Sequence, residues 1–276
     1  MPVISTNTAA NTALRYLNAN SEAQSTSLAK LSSGSRIQTA SDDAAGLAIG
    51  TGLSADVAVL EQASVNAQHG EAVLQTADGA LANISDILER MKSLAAQALS
   101  GAVGTTERAY IDAEYQQLLE EIDDITTSTT FNGTTLLDGT SDFATGTGVD
   151  FMVGTSSTDV ITVELADVDT TALGISGGDV TDATNATTAM NALDAAIATV
   201  SSARANVGAT LSRFEYRGDV IATSLENLEA AESTLMDADL AAEQTNFTNA
   251  QTLTNAAIAA LSQANEMPQK LLDLMR

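Results

Sequence analysis

Residues 190–235, MNALDAAIATVSSARANVGATLSRFEYRGDVIATSLENLEAAESTL, carry the most regular pattern in the chain. Leu193, Val200, Val207, Phe214, Ile221, Leu228 and Leu235 recur every seven residues and are all apolar. Met190, Ile197, Arg204, Leu211, Gly218, Leu225 and Glu232 form a companion row. An apolar heptad sustained this long specifies a helix paired lengthwise with another helix, in the manner of a coiled coil.

A partner for that helix is visible in the first half of the chain. Leu53, Leu60, Ala67, Leu74, Leu81, Leu88 and Ala95 share the same seven-residue spacing. Its companion row, Val57, Ser64, Glu71 and Asp78, is polar in the middle and resumes at Ile84, Met91 and Ala98. The pattern predicts one helix from Asp43 to Leu99, loosened near His69-Gly70 where helix propensity is low. Ser41, Asp42 and Asp43 supply N-cap chemistry, and Gly101 and Gly104 close the helix. A further run, Ile111, Tyr115, Leu118, Ile122 and Ile125, predicts a helix of about 20 residues with Glu114, Glu120, Glu121 and Asp124 on its outer face.

From Thr126 to Thr188 the composition changes to Thr, Ser, Gly and Asp. Asp150–Val153 and Val160–Leu165 read as strands around the turn Gly154-Thr155-Ser156-Ser157, with Ile161, Val163 and Leu165 on one face. At the chain ends, Leu14, Leu17, Leu28 and Leu31 occupy one heptad grid. Leu240, Phe247 and Leu261 occupy another, interleaved with Ala250, Ala257, Ala264 and Leu271. Both ends are rich in Asn, Gln, Ser and Thr, so each alone is a marginal helix that orders when paired. The fold class is mainly α: a long antiparallel coiled-coil-like bundle with a small β-hairpin region. Five segments follow, 1–42, 43–130, 131–188, 189–236 and 237–276.

Composition excludes several functions. The 276 residues carry 11 Lys+Arg against 36 Asp+Glu, a net charge of −25, and no basic residue lies between Arg108 and Arg204. Nucleic acid and anionic membrane are therefore poor partners. Aromatic residues make up 3%, too few to line a pocket-bearing core of the usual kind. There is no cysteine, and His69 is the one histidine, so thiolate chemistry and His-pair zinc motifs are excluded. No run of about 18 apolar residues is present to span a bilayer. The first residues lack the charged and apolar regions of a cleavable signal, a test that misses export of an uncleaved, unfolded terminus.

Candidate chemical motifs have bland alternatives. Gly50-Thr51-Gly52-Leu53-Ser54-Ala55 fits a loose dinucleotide pattern, but it lies inside a helical run, where small residues permit close helix contact. His69 is expected on a solvent-facing or interhelical position. Glu120, Glu121, Asp123 and Asp124 lack the spacing of a calcium loop and are expected to form a solvated face. Asn83, Asn132, Asn185 and Asn246 satisfy the N-x-S/T pattern, which has little weight without a secretory signal. No catalytic, cofactor-binding or metal-binding residue is assigned.

The stretch Ser27–Ile37, SLAKLSSGSRI, followed by Ser41–Ile49, SDDAAGLAI, resembles the N-terminal signature of bacterial flagellins. The resemblance continues through Phe131–Gly139, Ala203–Ala209 with Arg213-Phe214, and the tail Ser262–Gln269, and it follows the family's order along essentially the whole chain. A large insertion after the hairpin is missing, as in a minimal flagellin without outer variable domains. The resemblance implies a filament subunit that polymerises without catalysis and is used for swimming motility. It implies that segments 1–42 and 237–276 pair in the core of a hollow tube, with Leu14, Leu17, Leu28, Leu31, Leu240, Phe247, Leu261 and Leu271 as packing residues. In the surrounding layer it places segments 43–130 and 189–236, packed through Leu53, Leu60, Leu74, Leu81, Leu88, Leu193, Val200, Val207, Phe214 and Leu228.

The same resemblance implies further copies of the chain, an export chaperone, the type III export apparatus, and filament cap and hook-junction proteins as partners, and a secreted, extracellular flagellar location. It assigns Arg90, Leu94 and Glu114 to recognition by the innate receptor that senses flagellins, while Lys92, Ser93 and Ala96 depart from the Arg, Glu and Val of stimulating members. A hook-filament junction protein is the alternative function. A protease inserted in a flagellin would need a zinc motif such as H-E-x-x-H, which one histidine cannot supply.

Overall fold

A computed structural model describes residues 6–274, with the side chains at 268, 269 and 271–274 outside that description. The described elements are α1 (Thr8–Ser33), α2 (Ala44–Leu99), α3 (Thr105–Ser128), β1 (Thr130–Phe131), β2 (Thr134–Thr135), β3 (Val149–Met152), β4 (Val160–Val163), α4 (Ala183–Met236) and α5 (Leu240–Leu274). They form two compact units, residues 1–56 with 227–276, and residues 57–226.

In the first unit α1 and α5 run antiparallel. Asn7 caps α1 by accepting the Ala10 N–H at 3.0 Å, and its own amide donates to the Ala264 carbonyl at 2.8 Å. At the other end Gly34 adopts the left-handed C-cap conformation, and the Ala238 N–H donates to the Gly34 carbonyl at 2.8 Å. Arg36 adds two donations to the Leu235 carbonyl, at 3.1 and 2.8 Å, and one from its backbone N–H to Met236 at 2.6 Å. The start of α1 is thus tied near the end of α5, and the end of α1 to the break that separates α4 from α5. Asp239 makes that break a new helix start by accepting from the N–H groups of Ala241 and Ala242. Gly50 lies against Met236 with no room for a Cβ, so the glycines of the dinucleotide-like motif serve helix contact.

The second unit is built on α2. Asp43 had already capped that helix by accepting the Gly46 N–H at 2.8 Å, while Asp42 accepts from the backbone N–H groups of Thr39 and Gln38 instead. Those two bonds hold the Asp42 carboxyl below its usual range. Along α2 the buried side chains are Leu60, Ala63, Ala67, Val73, Leu74, Ala77, Ala80, Leu81, Ile84, Leu88, Met91, Leu94, Ala95 and Ala98. The expected seam at Leu60, Leu74, Leu81 and Leu88 is present. The companion row differs: it is Ala63, Gly70, Ala77, Ile84, Met91 and Ala98, one residue earlier than Ser64, Glu71 and Asp78. In that register the row is unbroken, because small residues fill it where large apolar ones were sought.

Gly70 explains why the helix is not loosened there. The glycine is buried, and a Cβ on it would lie 2.5 Å from Cζ of Phe214. Phe214 in turn meets Phe151 of β3 edge-on, with ring centroids 5.8 Å apart at 87°. α2 therefore runs straight through Gly70 because that position admits an aromatic ring from α4. Asp78 pairs with Arg204 at 3.1 Å and Lys92 with Asp194, so partner numbers fall as α2 rises and the two helices are antiparallel. On α4 the buried row Leu193, Val200, Val207, Phe214 and Ile221 matches the heptad, but its companion is Ala189, Ala196 and Ala203 rather than Met190, Ile197 and Arg204.

α3 also packs antiparallel to α2: Arg90 pairs with Glu114, and Arg108 donates to the Ala98 carbonyl at 2.8 Å. Its buried positions are Ile111, Tyr115, Leu119, Ile122 and Thr126, so Leu119 and Thr126 replace the expected Leu118 and Ile125. The hairpin forms with its first strand one residue earlier than read and its second ending at Val163, with Val149 opposite Val163 and Met152 opposite Val160, and Ile161, Val163 and Leu165 are buried. A second ribbon, β1 with β2, closes on Asn132-Gly133, both at positive φ (52° and 81°), the pairing a two-residue hairpin turn requires. By length and mean hydropathy, 1.3 over 18 residues, α2 alone among the described helices would suffice to cross a bilayer. The helix reaches that average with Leu, Ile, Val and Ala dispersed among polar residues, not with a continuous apolar run.

The Gly70–Phe214 contact makes a paired prediction. Alanine for glycine inside a helix ordinarily stabilises by about 0.5–1 kcal/mol. Gly79, with open space around it, should follow that rule. Gly70→Ala should instead destabilise by about 1–3 kcal/mol, because the Phe214 ring has to shift. Denaturant unfolding of both variants checks the opposite signs.

Candidate functional site

The terminal helix pair closes on small residues. Ser27, Ala250, Ala257 and Ala264 are buried, and Ala250, Ala257 and Ala264 repeat every seven residues. The large apolar side chains of the same pair point elsewhere. Leu14, Leu28 and Leu240 are 46%, 55% and 55% exposed, and Leu253 and Ile258 are similarly open. Leu17, Leu31, Phe247 and Leu261 are half-buried, and the Leu271 side chain lies outside the described residues. None of the seven described residues assigned from sequence to core packing is therefore fully buried inside the chain. Exposed singly, such residues are ordinary; along one helix pair they form a surface waiting to be covered.

The helical layer behaves in the opposite way. Leu60, Leu74, Leu81, Leu88, Leu193, Val200, Val207 and Phe214 are buried, while Leu53 and Leu228 are half-buried and belong to the first unit. Truncating one of the fully buried leucines would remove packing worth about 2–5 kcal/mol. The ion pairs across the layer are all substantially exposed and contribute at most about 1 kcal/mol each. Packing therefore supplies the stability, and the charges fix which helix faces which.

Arg90 and Glu114 meet at the surface, where the Arg90 Nε and Nη2 both donate to one Glu114 oxygen, at 2.9 and 2.6 Å. Leu94, grouped with them from sequence, is buried in the layer at 2% exposure. The structure thus brings two of the three recognition residues together outside and uses the third for packing. His69 is exposed, as expected.

Three α3 side chains hold the loop from 167 to 180. Asp123 accepts from the Thr170 N–H and hydroxyl, both at 2.9 Å. Asp112 accepts from the Val180 N–H at 2.9 Å, and Gln116 donates to the Gly178 carbonyl at 2.8 Å. Asp123 is thus a tether and not part of a solvated acidic face; nothing in its sequence spacing signals this. Behind the tethers lies a groove of about 250 Å³ containing Tyr115. Burial, followed by the nearby Asp112 and Asp179 charges, pushes the Tyr115 hydroxyl up to about 12. Among the described residues no three His, Asp or Glu side chains converge to hold a metal ion.

These features define a class: an α-helical structural subunit with a closed helical layer and a terminal pair whose leucines face outward. Comparison with known proteins narrows it. Residues 4–142 match the family model for the bacterial flagellin N-terminal helical region, and residues 190–275 that for the C-terminal helical region. The chain is 40% identical to a flagellin of Halalkalibacterium halodurans over 99% of this chain and 100% of that one. It is 39% identical to a flagellin of Bacillus subtilis, with 99% of each covered. The crystal structure of Bacillus cereus flagellin aligns with a TM-score of 0.51 at 35% identity, covering 61% of this chain and 94% of that one. A putative flagellar hook-associated protein of Vibrio parahaemolyticus, at 14% identity and a TM-score of 0.59, shares the fold. The chain belongs to the bacterial flagellin family, without a large variable domain, and is a structural subunit of the flagellar filament.

The tethers give a second prediction. Thr170 is buried, and Asp123→Ala would leave its N–H and hydroxyl unsatisfied at a cost of about 1–3 kcal/mol. Hydrogen exchange should show faster opening of the 167–180 loop in this variant, while the amides of α2 keep their protection.

Proposed function

We propose that α1 and α5 line the inside of the filament tube and that segments 43–130 and 189–236 form the layer around them, with 131–188 carried on the outside. The observation that carries this reading is the outward Leu14, Leu28, Leu240, Leu253 and Ile258 on a pair that already closes on alanines. Copies of the chain supply the missing cover. Subunits that add head to tail by contacts whose rotation does not close generate an open helical polymer, and no chemistry is required. Swimming then follows from the shape of the polymer. The hook-filament junction reading has no observation in its favour, since the hook-associated neighbour supports the fold alone.

Apolar arms of this kind need shielding before assembly, which argues for an export chaperone. Their marginal helices suit passage unfolded through the type III export apparatus to an extracellular filament, between hook-junction proteins below and a cap above. Recognition by an innate receptor at the α2–α3 surface would rest on Arg90 and Glu114.

In the isolated subunit the pair buries little apolar surface against the entropy of ordering it, so its helices should fray. Limited proteolysis should cut the first ~40 and last ~40 residues of the monomer readily and spare them in the filament. Equal resistance of both ends in both states would overturn the coupling of order to assembly.

Charge adds a prediction about rate. Subunits of net charge −25 repel one another on approach, and added salt or divalent cations screen that repulsion. Seeded polymerisation should therefore accelerate with ionic strength. Fastest growth at the lowest salt would contradict it.

A further inference from the structure

Basic residues are scarce in this chain, and most are engaged. Arg90, Lys92, Arg204 and Arg217 form ion pairs with Glu114, Asp194, Asp78 and Asp159, and Arg36 and Arg108 donate to backbone carbonyls. Among the described residues Arg213 has no hydrogen-bond or ion-pair partner and is exposed. It stands on α4 beside a cleft of about 360 Å³ lined by Val160, Ile161, Arg213, Tyr216, Arg217 and Val220. Tyr216 is 74% exposed there, and Val220 and Val160 are open as well. The cleft lies wholly within the second unit, on the side where Arg217 reaches Asp159 of the hairpin turn.

We propose that this cleft is a contact surface for a second copy of the chain, which presents a carboxylate-bearing helix face to it. The inference rests on the filament reading and assigns it a specific surface. Charge complementarity selects the occupant. A copy of this chain offers 36 carboxylates and only 11 basic residues, so nearly any face it presents is acidic. An unpaired guanidinium flanked by an exposed tyrosine and two valines matches such a face. Tyr and Arg are among the residue types that dominate contact energies when covered: Tyr brings large area with few rotatable bonds, and Arg brings a permanent charge on a long apolar stem. The surface is separate from the outward leucines of the terminal pair, so assembly would have an apolar contact in one unit and a charge-selective one in the other.

Seeded elongation on sheared wild-type filaments tests this with the full chain. Arg213→Glu and Tyr216→Ala alter exposed side chains, so their monomers should melt with the wild type. Each should slow elongation about tenfold or more, while Arg213→Lys, which keeps the charge, should stay within about twofold. Val220→Ser provides an independent variant should either of the first two lower the melting temperature. Wild type that elongates while all of these variants elongate within about twofold of it overturns the docking surface and leaves the filament reading intact. Wild type that fails to elongate seeds overturns the filament reading and the docking surface with it.

Discussion

The buried rows of Ala and Gly along the helices are the constraint on which the other features depend. Interdigitated Leu and Phe need a small residue opposite, and here that role falls to Ala63, Gly70 and Ala77 on α2 and to Ala189, Ala196 and Ala203 on α4. Phe214 is the plainest instance: a large ring fully buried over a glycine, held from the other side by Phe151. A chain with 3% aromatic residues and no tryptophan can thus still build a dense core, because its layers are thin.

The same constraint has the reverse effect in the terminal pair. There the alanines of α5 take the inner positions, so the leucines that share the helices are left outside. Burying a leucine side chain is worth about 1.5–3 kcal/mol, and a pair that forgoes this for several leucines is weak alone. Copies that cover those leucines recover the missing stabilisation at the moment of assembly. Order in the arms and growth of the polymer are then coupled by one physical cause, the cover of apolar surface.

Much of this was legible in the sequence, and the failures share a pattern. The large apolar rows, Leu60 to Leu88 and Leu193 to Phe214, are legible because their spacing is unambiguous, and they are buried. The companion rows were set one residue late, since Ser64, Glu71 and Asp78 were judged by polarity while the true row of Ala and Gly carries almost no hydrophobic signal. Gly70 was read as a weakness for the same reason: propensity describes an isolated helix, and tertiary packing reversed its meaning. The break between α4 and α5 after Met236 was legible, but the start of α4 was placed six residues late, although Asp182 accepts the N–H groups of Thr184 and Asn185 as an ordinary N-cap would. Asn132-Gly133 is a readable hairpin signal, and β1 and β2 close on it. The Asp112 and Asp123 tethers were not readable, because a carboxylate that meets a loop 47 or 68 residues away leaves no local pattern.

Charge and packing divide their labour in a way that suits a polymer. Inside the layer the exposed ion pairs are individually weak, yet Arg204 with Asp78 and Lys92 with Asp194 each penalise a shifted register, because a slip of seven residues sets Asp78 against Ile197 or Leu211 and Asp194 against Ser85 or Leu99 and leaves the charges unpaired. With 11 basic residues to spread over 36 acidic ones, each cation has many competing partners, so its position along a helix carries information that the carboxylates do not. Apolar heptads repeat, but the Gly70–Phe214 contact and the sparse cations do not: a slip of seven residues sets the Phe214 ring against Ala63 or Ala77 and separates the cations from their carboxylates, so both break that degeneracy. Sparse positive charge therefore adds to the Gly70–Phe214 fit in giving a repetitive sequence one alignment, and the net negative charge it leaves keeps copies apart until an apolar surface is presented in the right geometry.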